Sequence, residues 1–318
     1  MSGKQTGLGS RFAVGGYDLS GDTQSLGKIA TGGTKTIDLT DITESAFERA
    51  LGEFDGQWSW TSFFNPTGAH IPLSALPRTD VHLMFAAGAT IGTDAACMVA
   101  KQIGYDPTRG SDGSLTIAVA GQSNGFGYEW GKLVTPWLRT DTGATEGDGF
   151  DSGAGVTAPS VPASATPVAN SSPMPVTVVI TGGTMTDVSI GGVTVGAGAG
   201  TYTLPAGAAI TLTYTVAPTW TWTVSTAFGA QMYLQVMAFT GADATVTVQD
   251  SADGSTFTDI ASGSFAQITT GPQAQRIALS NTATVRRYLR VATATSGGFS
   301  SLAFVVMFHR NLSANVAF

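Results

Sequence analysis

The residues best placed to do chemistry lie in one stretch, Gly110 to Gly143, which reads GSDGSLTIAVAGQSNGFGYEWGKLVTPWLRTDTG. The β-branched run Leu115–Ala120 predicts a strand, and Gly121-Gln122-Ser123-Asn124-Gly125 follows it directly. This spacing matches the Gly-x-Ser-x-Gly elbow, in which a sharp strand-to-helix turn exposes a serine hydroxyl as nucleophile. A nucleophilic Ser123 needs a base and a residue that orients the base. The chain offers three histidines, His70, His82 and His309, and no Asp-x-x-His segment near the C terminus. Gly125, Gly127, Trp130 and Gly131 also make a poor helix start. The other reading is a structural strand ending in a glycine-rich turn. On that reading the sequence assigns no catalytic, cofactor-binding or metal-binding residue, and the chain is not an enzyme.

The remaining reactive side chains carry bland readings of the same kind. The single Cys97 excludes an intramolecular disulfide framework and reads as a small buried side chain. His82 is a lone histidine without companion ligands, and His70 reads as a turn or interface residue just beyond Asn65-Pro66-Thr67-Gly68. Asp250, Asp253 and Asp259 could hold calcium, but their spacing is not that of an EF-hand loop, and Asp253-Gly254 is explained by a hairpin turn. Trp220 and Trp222 alternate, either as a sugar-binding platform or as the cap of a small core. Alternation in Arg286–Arg290 places Arg286, Tyr288 and Arg290 on one face, and Arg287 and Leu289 on the other. The letters AGQSN resemble the serine block of sialate O-acetylesterase-type hydrolases, which makes an esterase acting on acetylated sugars through Ser123 the alternative function.

The elements that would position these residues are strands. Charged residues make up only 12% of the 318, against about 25% in an average soluble protein. Forty-one glycines, with abundant Thr, Ser, Ala and Val, point to many short strands joined by turns. A surface so poor in charge implies burial against other copies, because interface cores are depleted in charge. The net charge of −7 argues against binding nucleic acid through phosphate contacts. The sequence has no basic segment leading into an apolar run, and no apolar stretch of the ~20 residues that a membrane helix needs. A soluble protein, without export by the usual signal and without a membrane partner, is expected.

Along the chain, Arg11–Val14 and Thr34–Leu39 predict strands. Residues 41–54 read as the one amphipathic helix, with Asp41 as N-cap, Glu44 as its capping-box partner, and Phe47, Ala50, Leu51 and Phe54 on one face. Gln57–Phe64 and Asp80–Ala86 alternate as strands, the latter placing His82, Met84 and Ala86 together. Tyr105–Gly113 reads as a turn region.

The phrases AHIPLSALPRTD (69–80), AKQIGYDPTRGSDGSLTIAVAGQSNGFGYEWG (100–131) and TDTGAT (140–145) together resemble the tail tube, or major tail, proteins of long-tailed bacteriophages (siphoviruses), over residues 1–148. The resemblance implies a β-sandwich or barrel flanked by one helix, polymerising as rings, typically homohexamers, that stack into a helical assembly. It also implies contacts with tape-measure and tail terminator proteins, double-stranded DNA passing through the lumen without specific binding, assembly in the host cytoplasm, and a place in the virion tail. Residues 1–148 hold sixteen Asp and Glu against ten Lys and Arg. A lumen of that sign repels phosphates rather than binding them.

Residues 149–175, GFDSGAGVTAPSVPASATPVANSSPMP, read as a linker. Residues 176–225 read as a small β add-on module with strands at 176–180, 187–190 and 210–215, resembling modules of phage structural proteins. Residues 226–318 form a third β-domain with strands at 231–239, 244–250, 285–293 and 301–309. VTVQDSADGSTFTDI (246–260) with RRYLRVAT (286–293) resembles discoidin-like jelly rolls, which implies carbohydrate, including host surface glycans, as a partner. The chain order suggests that the small module is inserted ahead of this sandwich or into its first loop. The expected fold is mainly β, and the outer domains decorate the tube.

Overall fold

The computed structural model describes residues 6–30, 36–40, 47–51, 55–75, 79–152, 158–172, 175–224 and 228–311. It is mainly β and built from antiparallel sheets. The first half supplies β1 (Arg11–Val14), β2 (Tyr17–Asp18), β3 (Thr23–Ala30), β4 (Thr36–Asp38), β5 (Arg49–Leu51) and β6 (Gln57–Phe63). A short helix α1 (His70–Ser74) precedes β7 (Val81–Ala86), β8 (Asp94–Arg109), β9 (Leu115–Ser123) and β10 (Glu129–Leu133). Then come β11 (Arg139–Asp141), β12 (Thr145–Glu146) and β13 (Phe150–Asp151). The small module contains β14 (Pro167–Ala169), β15 (Val176–Thr181), β16 (Thr184–Ile190), β17 (Val193–Gly196), β18 (Gly200–Leu204), β19 (Ala209–Val216) and β20 (Thr219–Val224). The last segment adds β21 (Ala230–Thr240), β22 (Ala244–Ser251), β23 (Thr258–Ser264), β24 (Gln273–Ala278), β25 (Tyr288–Thr295) and β26 (Ser301–Arg310).

A twelve-stranded sheet runs through both halves along the path β2-β1-β7-β8-β10-β26-β21-β24, with β11 attached to β26 and β9, β6 and β3 branching in turn from β8. Its central joint is the pairing of β10 with β26, Lys132 opposite Phe308 and Leu133 opposite Met307. The sheet therefore crosses the border drawn at residue 148, and the strands β11, β12 and β13 around that border pair with β25 and β26.

Alternation along these strands sends side chains to two faces. On one face, β1, β7 and the first half of β8 pack against β6 and β9 around Phe12, Trp58, Trp60, Leu83, Met98, Ile117 and Val119. β8 makes this possible by pairing with β7 over 95–100 and with β9 over 100–109, so the sheet folds over itself. Farther along, β21 and β26 face β22 and β25 across Leu234, Val236, Val248, Leu289, Val291, Phe304 and Val306. The opposite face of the central strands is covered by Trp137 and holds Met84, Cys97, Leu133, Tyr233, Val305 and Met307. Both faces of β7 are therefore largely apolar, and the expected grouping holds, His82 meeting Tyr233 on the side where Met84 and Ala86 lie. Met84 and Ala86 lie on the Trp137 side, with Val81 and Leu83 behind them.

Two local expectations are corrected. The helix expected over 41–54 gives way, where residues are described, to β5, which pairs with β4 through Ile37 opposite Ala50. Phe47 lies exposed, while Asp41, Glu44 and Phe54 lie outside the described residues. Helical periodicity there meets a hairpin partner only eleven residues away, and pairing overrides propensity. The turn expected over 105–113 is confined to 110–113, because β8 continues to Arg109 against Leu115. Past Ala100 this strand pairs, among the described residues, only with β9, so Pro107 sits on an edge where its missing N–H is tolerated. His70, read as a turn or interface residue, opens α1 directly after the turn.

The segment read as a linker also proves structural from 158 to 172. β14 pairs with β19, Pro159 accepts the Trp220 indole N–H at 2.7 Å, and Asn170 is buried, bonding the Leu204 carbonyl. Pro and Ser here supply an edge strand and carbonyl acceptors, which composition cannot distinguish from a tether. The module is a sandwich of β14-β19-β16-β17 on β18-β15-β20, with its own core of Val176, Val178, Ile180, Leu212, Trp220 and Trp222. Its chain leaves after β13 and returns before β21, both of them strands of the larger body, so it is an insertion. Residues 152–242 contain a single charged side chain, Asp187.

Gly16 locks the β1–β2 turn onto the second half. Its φ is +90° and its N–H donates to Gln235 Oε1 at 2.6 Å. A Cβ there would stand 2.6 Å from the carbonyl oxygens of Gln273 and Val236. Gly16→Ala is expected to lower stability by about 1–3 kcal/mol, read as a shifted midpoint in chemical denaturation.

Candidate functional site

Ser123 is the last residue of β9, inside the sheet rather than on a strand-to-helix turn. Its N–H donates to the Gly56 carbonyl at 2.8 Å, and its Oγ accepts the Gly56 N–H at 2.8 Å. The flanking polar groups are also occupied. Gln122 donates to Asp55 Oδ1 and Asn124 to Asp80 Oδ1, both at 2.7 Å. The three histidines are held elsewhere. His70 Nδ1 lies 2.6 Å from the Tyr105 hydroxyl, and His309 Nδ1 bonds the Trp130 carbonyl. Burial pushes the His82 imidazole below its ordinary pKa, and its ring lies edge-on to Tyr233 at 6.4 Å. The Gly-x-Ser-x-Gly letters thus spell an extended strand end, because β8 and β6 flank the run that an elbow would have to leave.

The other sequence candidates are likewise engaged by neighbours. Asp250 accepts from Arg286 Nε and from the Arg286 backbone N–H, both at 2.7 Å. Asp259 accepts from Gln249 at 2.7 Å, and Asp253 caps its own turn through the N–H groups of Ser255 and Thr256. Among the described residues, no three His, Cys, Asp or Glu side chains come together as a metal site. Arg287 pairs with Asp151 at 2.8 Å and Arg290 with Glu146 at 2.7 Å, so these two arginines fasten 146–151 to the last sheet. Trp220 and Trp222 are buried, 5.3 Å apart and edge-to-face, as a core cap.

Sequence reasoning missed a buried junction on the Trp137 side of the sheet. Arg276 on β24 donates to the Tyr233 hydroxyl at 3.0 Å and to Glu129 Oε1 at 3.1 Å, over the ring of Phe126 at 3.8 Å. Burial, and next the Glu129 charge, raise the Tyr233 hydroxyl and the Cys97 thiol well above their ordinary values. Glu129 and Arg276 stand 147 positions apart, and no local pattern announces such a pair.

The surface that stands out is the wing formed by β3, β6, β9 and the second half of β8. Cross-strand partners share a face. Trp58, Trp60, Ile117 and Val119 point into the core, while Ser59, Thr61, Ala118, Ala120, Gly104 and Asp106 point outward. They line a shallow depression of 270 Å³ together with Gly27. Lys101, on the same face, is neutralised by Asp80 at 2.7 Å. β3 closes the wing and pairs only with β6, so among the described residues its far edge is open. No helix among the described residues is long and apolar enough to cross a membrane.

No family model matches the chain, and no curated protein matches it. The solved structure of infectious bursal disease virus Gx strain aligns over 97% of this chain and 69% of that chain at 10% identity, with a TM-score of 0.17. Superposition that poor carries no argument about fold or role.

Two outcomes are expected. Ser123→Ala leaves the Gly56 N–H without its side-chain acceptor and lowers stability by about 1 kcal/mol, measurable by thermal denaturation. Hydrogen bonds from Thr256 first, then Ser255, hold the Asp253 carboxyl down from 3.8 to about 2. Because the folded-state value is depressed, its stabilising contribution is present above pH 3.8 and is lost as the pH falls through about 2. Carboxyl-resolved NMR titration should find that midpoint, and Ser255 and Thr256 amide shifts should follow it.

Proposed function

We propose that the chain is a virion structural protein, and specifically a subunit of a long-tailed bacteriophage tail tube. The observation that carries the reading is the open edge of β3 beside an outward sheet face of small, mostly uncharged residues. An unpaired strand edge on a soluble protein aggregates unless a neighbour completes it. Head-to-tail pairing around a ring completes every edge when the rotation closes. The bulges between Thr23 and Ser25 and between Leu26 and Lys28 restrict which strand fits. The phrases in 69–80, 100–131 and 140–145 support the same reading by resemblance.

In this assembly rings, hexameric by the resemblance, stack into a conduit, and the wing's face borders the passage. Ser59, Thr61, Ala118 and Ala120 offer phosphates no positive charge, so DNA slides. Tape-measure and tail terminator proteins occupy the lumen and the tube end. The inserted module and the last sandwich project outward. Ser123 is a structural residue and the chain does no catalysis.

Negative-stain electron microscopy of the purified full-length protein, over a range of concentrations, should reveal rings or hollow tubes with projections. Gln24→Lys with Ser25→Lys, both at exposed positions of β3, should abolish them while leaving circular dichroism and the melting temperature unchanged. Tubes that persist in this variant, or acetyl-ester hydrolysis that is lost in Ser123→Ala, would contradict the reading.

A further inference from the structure

We propose that the face shared by β7, β8 and β10 carries a binding cleft for a neutral oligosaccharide, with Trp130 as its stacking surface. Phe85, Ala96 and Trp130 are in register across the three strands. Ala96 is too short to separate its neighbours, so the Phe85 and Trp130 rings meet edge to face, 6.3 Å apart at 87°. Tyr128 also meets it edge to face, at 6.2 Å and 77°, and its hydroxyl accepts the indole N–H at 2.8 Å. Trp130 is thereby fixed in orientation while 44% of it remains exposed. With its one polar atom already satisfied, what it offers a partner is ring surface.

The polar half of the cleft lies alongside. Lys132 follows Trp130 by two residues on β10, and Asp94 precedes Ala96 by two on β8, so both share that face. They form an ion pair at 2.7 Å. Together with Thr90 and Thr93 they line an open depression of 610 Å³, which begins one same-face strand position beyond Trp130 and does not include its ring. Its carboxylate, ammonium and hydroxyl groups supply donors and acceptors with no net charge.

This combination selects the ligand class. A sugar ring has an apolar C–H face and a rim of hydroxyl groups, so it needs an aromatic surface and a polar pocket side by side. A phosphate or acidic polymer would meet the Asp94 carboxylate and a lysine already paired. A wholly apolar partner would bury the Asp94–Lys132 pair at a desolvation cost. Preorganisation of the three rings reduces what binding must order.

The test uses the full-length protein, which need not be assembled. Tryptophan fluorescence is followed during titration with chitotriose, cellotriose, maltotriose and galactotriose at millimolar sugar. Saturable quenching by at least one of them is expected. Trp130→Ala should weaken that binding at least about tenfold, and Lys132→Met should weaken it as well, with native melting temperatures in both. Since Trp130→Ala also removes a quenched fluorophore, its affinity is read by calorimetry. No saturable binding by any of the four sugars overturns the proposal, as does undiminished binding by Trp130→Ala. A change in oligomeric state without a change in sugar binding also overturns it and assigns the aromatic shelf to contacts between copies.

Discussion

The ladder between β10 and β26 is the constraint on which the rest of the molecule depends. It joins strands more than 170 positions apart, with Lys132 opposite Phe308, and so converts two stretches of β-structure into one sheet. The approach is close enough that a Cβ on Gly131 would stand 2.7 Å from the Met307 sulfur and 2.8 Å from the Phe308 carbonyl carbon. Once the ladder is formed, the core beneath Trp60 and the core beneath Phe304 share a layer, and Met84, Leu133, Tyr233 and Met307 form a third core behind it. Burial on both faces of the central strands makes the register costly to slip, because a shift of one residue would exchange the faces.

Several of the polar groups carried into this layer find partners across the same joint, although Glu129 Oε2 and the Gln231 amide have none among the described residues. The Arg276 guanidinium reaches Glu129 and Tyr233, while Gln235 bridges the Gly16 N–H and the His82 carbonyl. Breaking such a buried pair by removing one partner costs about 3–5 kcal/mol. These bonds therefore fix the relation of the halves more than they add to its stability. Arg139 plays the same part near the border at residue 148, bonding Asp141 at 2.8 Å and the Val291 carbonyl.

What lies outside the joined body is governed by its surface chemistry. Among the described residues the wing ends in β3 with an open edge, and the inserted sandwich lies in a run of ninety-one residues, 152–242, that carries one charge. Charge normally keeps exposed strands apart. Surfaces without it are suited to neighbours, which links composition to assembly. The cleft at Trp130 is of another kind, a fixed aromatic surface beside a neutral polar pocket. It arises only where Ala96 lets two rings from β7 and β10 touch.

The sequence by itself determined the strands. Alternation marked β6, β7, β21 and β22, and apolar or β-branched runs marked β1, β26, three of the module's strands and β9 as far as Ala120, because a half-buried strand writes its environment into every second residue. Composition likewise determined the mainly-β class and the poverty of charge. Tertiary structure decided what local patterns could not. Residues 49–51 became a strand despite helical spacing, 105–109 continued a strand despite Pro107, and 158–172 joined a core despite the composition of a linker, in each case because a partner strand was near. The same holds for the candidate sites. The elbow letters around Ser123 were legible, but their geometry depended on Gly56, 67 positions away. The Glu129–Arg276 pair and the Phe85–Trp130 contact left no trace in the sequence, since contacts between distant strands are set by the register of the whole sheet and not by the residues beside them.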